Sequence, residues 1–160
     1  MEFLTIGVYG YSEEEFFKTL KDAEVDLFID IRQRRGVRGK QYSFVNSTYL
    51  QQKLKEVGIS YRHEKALAPT TEIRNAQKVA DKQNNVLKIN RSELGNVFKE
   101  MYQREILADF DFDNFLKEIL DMKYKNIVLF CVESTPLACH RGLVAEKLKQ
   151  LEYTTRHITK

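Results

Sequence analysis

No apolar run in this chain approaches the roughly 20 residues that a membrane-spanning helix requires. The N-terminus lacks the basic-then-apolar order of a secretory signal, so the protein is read as having no membrane segment and is expected in the cytoplasm. Cysteine is scarce. The two that occur, Cys131 and Cys139, cannot build the disulfide framework of a small secreted scaffold, and reduced thiols are expected. Charge of one sign is also missing: 26 Lys and Arg against 23 Asp and Glu leave +3, too little for overall charge to point to nucleic acid. Repeats, linkers and low-complexity tracts are absent. A chain of 160 residues with 42% hydrophobic content is expected to form one domain over residues 1–160 with its own core.

What is present alternates between two periodicities. Phe3 to Tyr9 reads as a strand, and Ser12 with Glu15 forms a capping box for a helix through Phe16, Phe17 and Leu20. Val25 to Ile31 is a second strand. Ser47 to Val57 is a helix stopped by Gly58, and Ile59 to Arg62 is a short strand. Thr71 to Lys82, Arg91 to Leu107 and Phe112 to Met122 read as helices, followed by the apolar, β-branched strand Asn126 to Val132. A helix from Pro136 and a strand from Thr154 to Ile158 complete the chain. The expected fold class is α/β, with a mainly parallel sheet flanked by helices and a helical insertion around residues 70–110.

The segment Cys131-Val-Glu133-Ser-Thr-Pro136-Leu-Ala-Cys139-His140-Arg141 gathers two thiols, a carboxylate, an imidazole and a guanidinium after one strand. Thr135 can cap the helix, and no acidic residue lies between Pro136 and His140. The helix start and Arg141 together are therefore read as a site for an anion. The bland alternative pairs Arg141 with Glu133 and leaves both cysteines as small core residues.

The C-x-E-x-x-P-x-x-C-H-R string, together with Thr5-Ile6-Gly7, Asp30-Ile-Arg32 and Gly58-Ile-Ser-Tyr61, resembles the domain of unknown function 488 family. The matching positions are Gly7, Asp30, Arg32, Cys131, Glu133, Cys139, His140 and Arg141. The resemblance implies a compact bacterial or archaeal α/β domain with a polar site, and it brings no reaction, substrate or cofactor. Two departures touch the loops. Many relatives carry a proline soon after Asp-x-Arg, where this chain has Gln33 to Gly39, and a Gly-Gly segment where it has Ala66-Leu-Ala-Pro69-Thr.

Asp30 and Arg32 end the second strand, so a parallel sheet brings them to the same edge as Cys131 and Glu133. Asp30 is a candidate general base, and Arg32 either holds an anion or pairs with a carboxylate. The loop Arg32 to Lys40, with Arg35, Arg38 and the aromatics Tyr42 and Phe44 beyond it, suits a nucleotide or single-stranded nucleic acid, or is a solvated surface loop. Gly7-Val-Tyr9-Gly-Tyr11-Ser12 looks like a phosphate loop only superficially, because Glu13, Glu14 and Glu15 already complement the helix start. Tyr9 and Tyr11 are read as ring-stacking walls, Arg74 as a residue covering the site from the insertion, and His63 and His157 as structural.

The reading that follows is an enzyme acting on a phosphorylated, nucleotide or nucleic-acid-derived substrate. Arg32, Arg141, His140, Cys131, Arg35, Arg38 and Tyr9 bind, Glu133 or Asp30 handles protons, and Cys139 is the nucleophile. The alternatives are a nucleic-acid-binding module using residues 32–40, and a metal-binding domain using Cys131, Glu133, Cys139 and His140. Adjacent helical residues point about 100° apart, so His140 is poorly placed to deprotonate Cys139 directly. The metal reading is disfavoured because it lacks the paired C-x-x-C spacing of ordinary zinc sites and adjacent Cys139 and His140 would strain to share one ion. No metal ligand and no cofactor is assigned.

Overall fold

Sheet residues split cleanly by parity in the computed structural model, which describes residues 1–160. In β1 (Glu2–Ile6) and β4 (Asn126–Phe130), Leu4, Ile6, Val128 and Phe130 face one layer of the core, whereas Phe3, Ile127 and Leu129 face the other. β2 (Leu27–Asp30) divides likewise into Phe28 against Leu27 and Ile29. Strands buried on both faces lose the polar alternation of a half-exposed sheet and read as continuous apolar runs. With β3 (Ser60–His63) and β5 (Thr154–Ile158), the order is β3-β2-β4-β1-β5, and every recorded pairing is parallel.

Helices α1 (Glu13–Asp22) and α2 (Ser47–Glu56) cover the first face. Ser12 accepts from the Glu15 amide while Glu15 returns a bond to the Ser12 amide, which fixes where α1 begins. Phe16 is fully buried and meets Phe17, Phe28 and Phe130 edge to face. Gly58 ends α2 at φ +78°, a conformation that costs glycine little. On the other face lie α3 (Thr71–Gln83), α4 (Asn96–Tyr102), α5 (Phe112–Asp121) and α6 (His140–Gln150). In α5, Phe112, Phe115, Leu116 and Ile119 recur on one buried stripe, as an amphipathic helix requires. None of these helices is long and apolar enough to cross a membrane.

The chain leaves β1 over the α1 face toward β2, passing β4, and leaves β4 over the opposite face toward β5, passing β1. The loops after β1 and β4 therefore diverge at the carboxyl edge, which is where open parallel sheets form a crevice.

Two expected helix starts are displaced. The helix expected from Arg91 begins at Asn96 and widens into a π-helical turn over Gln103–Leu107. The helix expected from Pro136 begins at His140; Pro136–Ala138 is a single 3-10 turn, and Thr135 makes no side-chain cap. The reason is shared. The Leu137 and Ala138 carbonyls accept from the Leu94 amide and the Arg91 guanidinium, so both are diverted from helical bonding toward the insertion.

Candidate functional site

Cys131 and Glu133 follow β4 in a loop that has little freedom. The Cys131 amide donates to Ile6, and the Val8 and Tyr9 amides donate to the Val132 carbonyl. Gly7 packs so closely that a Cβ there would lie 1.7 Å from the Glu133 carbonyl oxygen. Arg141 is fully buried and donates to the carbonyls of Glu133 at 2.6 Å and Ser134 at 3.0 Å. Its guanidinium therefore straps the loop from within.

Cys139 precedes α6 in an extended conformation, φ −142° and ψ 144°, and is not helical. The expected divergence of Cys139 and His140 therefore does not arise: Cys139 Sγ lies 3.7 Å from His140 Nδ1, and Cys131 Sγ lies 3.9 Å from the same nitrogen. All three donor atoms fall within 4.8 Å of one another, and both thiols are free. His140 Nε2 is 2.9 Å from the Ile31 carbonyl, an acceptor only, so this nitrogen carries a proton and Nδ1 is the ring nitrogen that faces the sulfurs. The Cys131 thiol donates to Glu133 Oε2 at 3.3 Å. Ligand bonds of 2.0–2.3 Å in a tetrahedron imply donor separations of about 3.3–3.8 Å, close to the two sulfur–nitrogen separations of 3.7 and 3.9 Å.

The electrostatics are asymmetric. Burial pushes the Cys139 thiol up, but the adjacent Cys131 thiol and the neighbouring His140 and Arg141 charges outweigh it and hold the group well below its ordinary range. Cys131 is pushed up by its proximity to Cys139 and by burial. Burial raises the Glu133 carboxyl, and the Cys139 charge raises it further. For His140, burial is opposed and overcome by Cys139, which raises the imidazole.

Two cations reach this centre from the insertion, and neither was singled out in the sequence. Arg91 donates to Asp81 at 2.8 Å, to Glu133 Oε1 at 3.2 Å and to the Ala138 carbonyl at 2.9 Å. Lys88 Nζ lies 3.3 Å from Glu133 Oε1 with its side chain half exposed. Nothing periodic marks these two residues: they lie in the connection between α3 and α4, where Lys88–Asn90 forms a single 3-10 turn. The Tyr102 ring packs 5.6 Å from the His140 ring, and its hydroxyl donates to Leu67.

The other expected site residues divide. Asp30 is fully buried and takes a bidentate pair from Arg32, with Oδ1 to Nε at 2.9 Å and Oδ2 to Nη2 at 2.7 Å. Tyr61 donates to the same carboxylate, and Arg35 donates to the Tyr61 hydroxyl. The carbonyl that holds His140 therefore belongs to the residue between the two halves of this pair. Arg38 stands in solvent, and Arg74 donates to Gln33. The residues of the 32–40 loop do not converge on the thiols. Tyr9 packs 5.1 Å from Tyr42, and its hydroxyl is raised by burial, with Glu133 and Cys131 among the neighbouring charges, which places it at the rim. His63 meets the Arg32 carbonyl and His157 meets Thr5, so both join strand ends as expected of structural histidines.

Two surface cavities, about 370 and 510 Å³, lie beside α5 and beside the Tyr11–Tyr42 loops. Neither is lined by Cys131, Glu133, Cys139 or His140.

A family model described as Domain of unknown function DUF488 matches residues 12–148, a span that takes in Asp30, Arg32 and the whole Cys131–Arg141 segment. No curated protein and no solved structure matches the chain.

Proposed function

The chain belongs to the DUF488 family, whose description carries no activity, and from its geometry we propose that it binds one transition-metal ion of the zinc class. Cys131, Cys139 and His140 are the ligands, with Glu133 at the fourth position. The observation that carries this reading is the aim of His140: its Nε2 proton is held by the Ile31 carbonyl, and Nδ1 faces two buried sulfurs at 3.7 and 3.9 Å. Two thiolates and an imidazole suit a borderline-soft ion. Arg91 and Lys88 offset the carboxylate and thiolate charge.

The test is metal analysis of protein purified without chelator and under anaerobic conditions, followed by cobalt reconstitution. About one equivalent of metal and a sulfur-to-cobalt charge-transfer band are expected in the wild type. Both should be lost in Cys139→Ser and His140→Ala variants that keep the wild-type circular dichroism. Substoichiometric metal with no cobalt band in the wild type overturns the reading.

A second reading is favoured by Lys88, a half-exposed cation at the rim on Glu133. In it the protein is an enzyme for an anionic substrate: Lys88 passes from Glu133 to the substrate, His140 takes the Cys139 proton at Nδ1, and the thiolate is the nucleophile. A metal-free wild type that is alkylated rapidly at Cys139, with the rate depressed by phosphate or mononucleotides and restored in Lys88→Ala, supports this reading over the first.

A further inference from the structure

We propose that Cys131 and Cys139 form a dithiol that hydroperoxide closes to an intramolecular disulfide, and that this oxidation expels the bound ion. The ion-release half rests on the metal reading above; the disulfide half does not.

The two sulfurs are the only thiols in the chain, so no other internal pairing competes. Both lie within 4.8 Å of each other and of His140 Nδ1, a gap that closes to about 2.05 Å in an S–S bond. Their surroundings differ in a way that divides the labour. Cys139 Sγ faces the imidazole at 3.7 Å with Arg141 next in the chain, whereas Cys131 Sγ faces the Glu133 carboxylate at 3.3 Å. Cys139, in the extended turn that opens α6, is placed as the attacking thiol, and Cys131, within the same 4.8 Å cluster, as the one that resolves it. The thiols are 5% and 2% exposed, which restricts the oxidant to a small molecule such as hydrogen peroxide.

The chemistry balances in two steps. Cys139 sulfur attacks the peroxide, an S–O bond forms as the O–O bond breaks, and water leaves from the distal oxygen to give a sulfenic acid. Cys131 sulfur then attacks that sulfenic sulfur, an S–S bond forms as the S–O bond breaks, and a second water leaves. The sulfurs lose two electrons and the peroxide gains them; starting from two metal-bound thiolates, solvent supplies two protons. The ion is left with only His140 and Glu133, a pair without the thiolate charge that held it.

The test treats reduced protein, chelator-stripped and metal-loaded in parallel, with one equivalent of hydrogen peroxide, followed by thiol alkylation under denaturing conditions and mass analysis. In both forms the expected product has lost two hydrogens and both alkylatable thiols: its single tryptic peptide Asn126–Arg141 holds both cysteines unalkylated and two hydrogens lighter, and further cleavage after Glu133 leaves the two halves joined. In the loaded form, one equivalent of metal appears on a chromogenic chelator at the same rate, and a dithiol reductant restores binding. Cys131→Ser is expected to stop at a trappable sulfenic acid on Cys139. Cross-linking by peroxide of a protein that, in the metal arm, takes up no ion leaves the dithiol standing and removes the metal reading alone. Conversion of Cys139 to sulfinic acid with Cys131 still alkylatable, or retention of both thiols and the ion, overturns the proposal.

Discussion

Gly7 is required by space rather than by φ: a side chain there would drive into the Glu133 carbonyl at 1.7 Å and crowd Arg141 Nη2 at 3.1 Å. Neither neighbour can retreat freely, because the Cys131, Val8 and Tyr9 amides hold the two loops together. Gly7→Ala is therefore expected to lower stability by at least about 1–3 kcal/mol, read as a reduced urea midpoint, and to loosen the Cys131–Glu133 loop. An unchanged midpoint would mean that the β1 and β4 loops separate at little cost. Asp30 is the second strict position. Asp30→Asn leaves the Arg32 guanidinium, only 4% exposed, without its counter-charge, a loss of about 3–5 kcal/mol. Tyr61→Phe removes one hydrogen bond to the same carboxylate and is expected to cost only about 0.5–1.5 kcal/mol. Urea denaturation of the two variants in parallel should rank them in that order, and equal losses would show that the ion pair contributes little beyond its hydrogen bonds.

Arg91 is where one element governs another. It rises from the stretch between α3 and α4, is tied to Asp81, and holds both the Glu133 carboxylate and the carbonyl immediately before Cys139. Arg91→Ala should leave the sheet intact while reducing metal affinity about 10–100-fold in a competition titration, the usual effect of losing a partner that orients ligands. Full affinity in that variant would mean that α6 alone positions Cys139. At the opposite end of the sheet's cover, Glu15 caps α1, and the hydrogen bond from Lys160, with those from Ser12, holds its carboxyl down to about 2 from an ordinary 4.5. A depressed carboxylate stabilises the fold above its unfolded value and loses that contribution as pH falls toward the folded one. The melting temperature should therefore drop between pH 4.5 and about 2, and Glu15→Gln should show a shallower drop across that window. The contrast between α1 and Arg91 also marks what was legible in the sequence. Ser12 and Glu15 specify a helix start by local hydrogen bonding, and β1, β2 and β4 announce themselves by apolar runs and turns, so the α/β alternation was readable. The starts of α4 and α6 were not, because carbonyls at Leu137 and Ala138 are claimed by residues 40 positions away or more. The same long-range bonds placed Lys88 and Arg91 at the site and turned Cys139 extended, so that Cys139 and His140 share a focus that helical spacing forbids.

The order β3-β2-β4-β1-β5 puts β4 between the two strands whose ends matter most, β2 and β1. Three remote parts of the chain thus meet at one point: the Ile31 carbonyl after β2, the Cys131–Glu133 loop after β4, and the head of α6, with the insertion closing from above through Arg91. An ion bound there by Cys131, Cys139 and His140 would join segments otherwise linked by a few hydrogen bonds, so its free energy of binding would appear as stability of the native state. At free metal about 100-fold above the dissociation constant, the gain is about 2.7 kcal/mol, or roughly 5–10 °C in melting temperature for a domain of this size. Chelator stripping should reverse it. The loss is expected to be local in hydrogen exchange: amides of residues 131–141 and 86–95 should exchange faster in stripped protein, while α1 keeps its protection. The physical reason is that α1 is closed by its own capping box and its helical hydrogen bonds do not run through the site, although Cys131 and Cys139 pack into the cluster on its side of the sheet. A fall in protection spread evenly over both faces would mean instead that the metal edge and the α1 face unfold as one cooperative unit, and that the site helps to hold together the entire sheet.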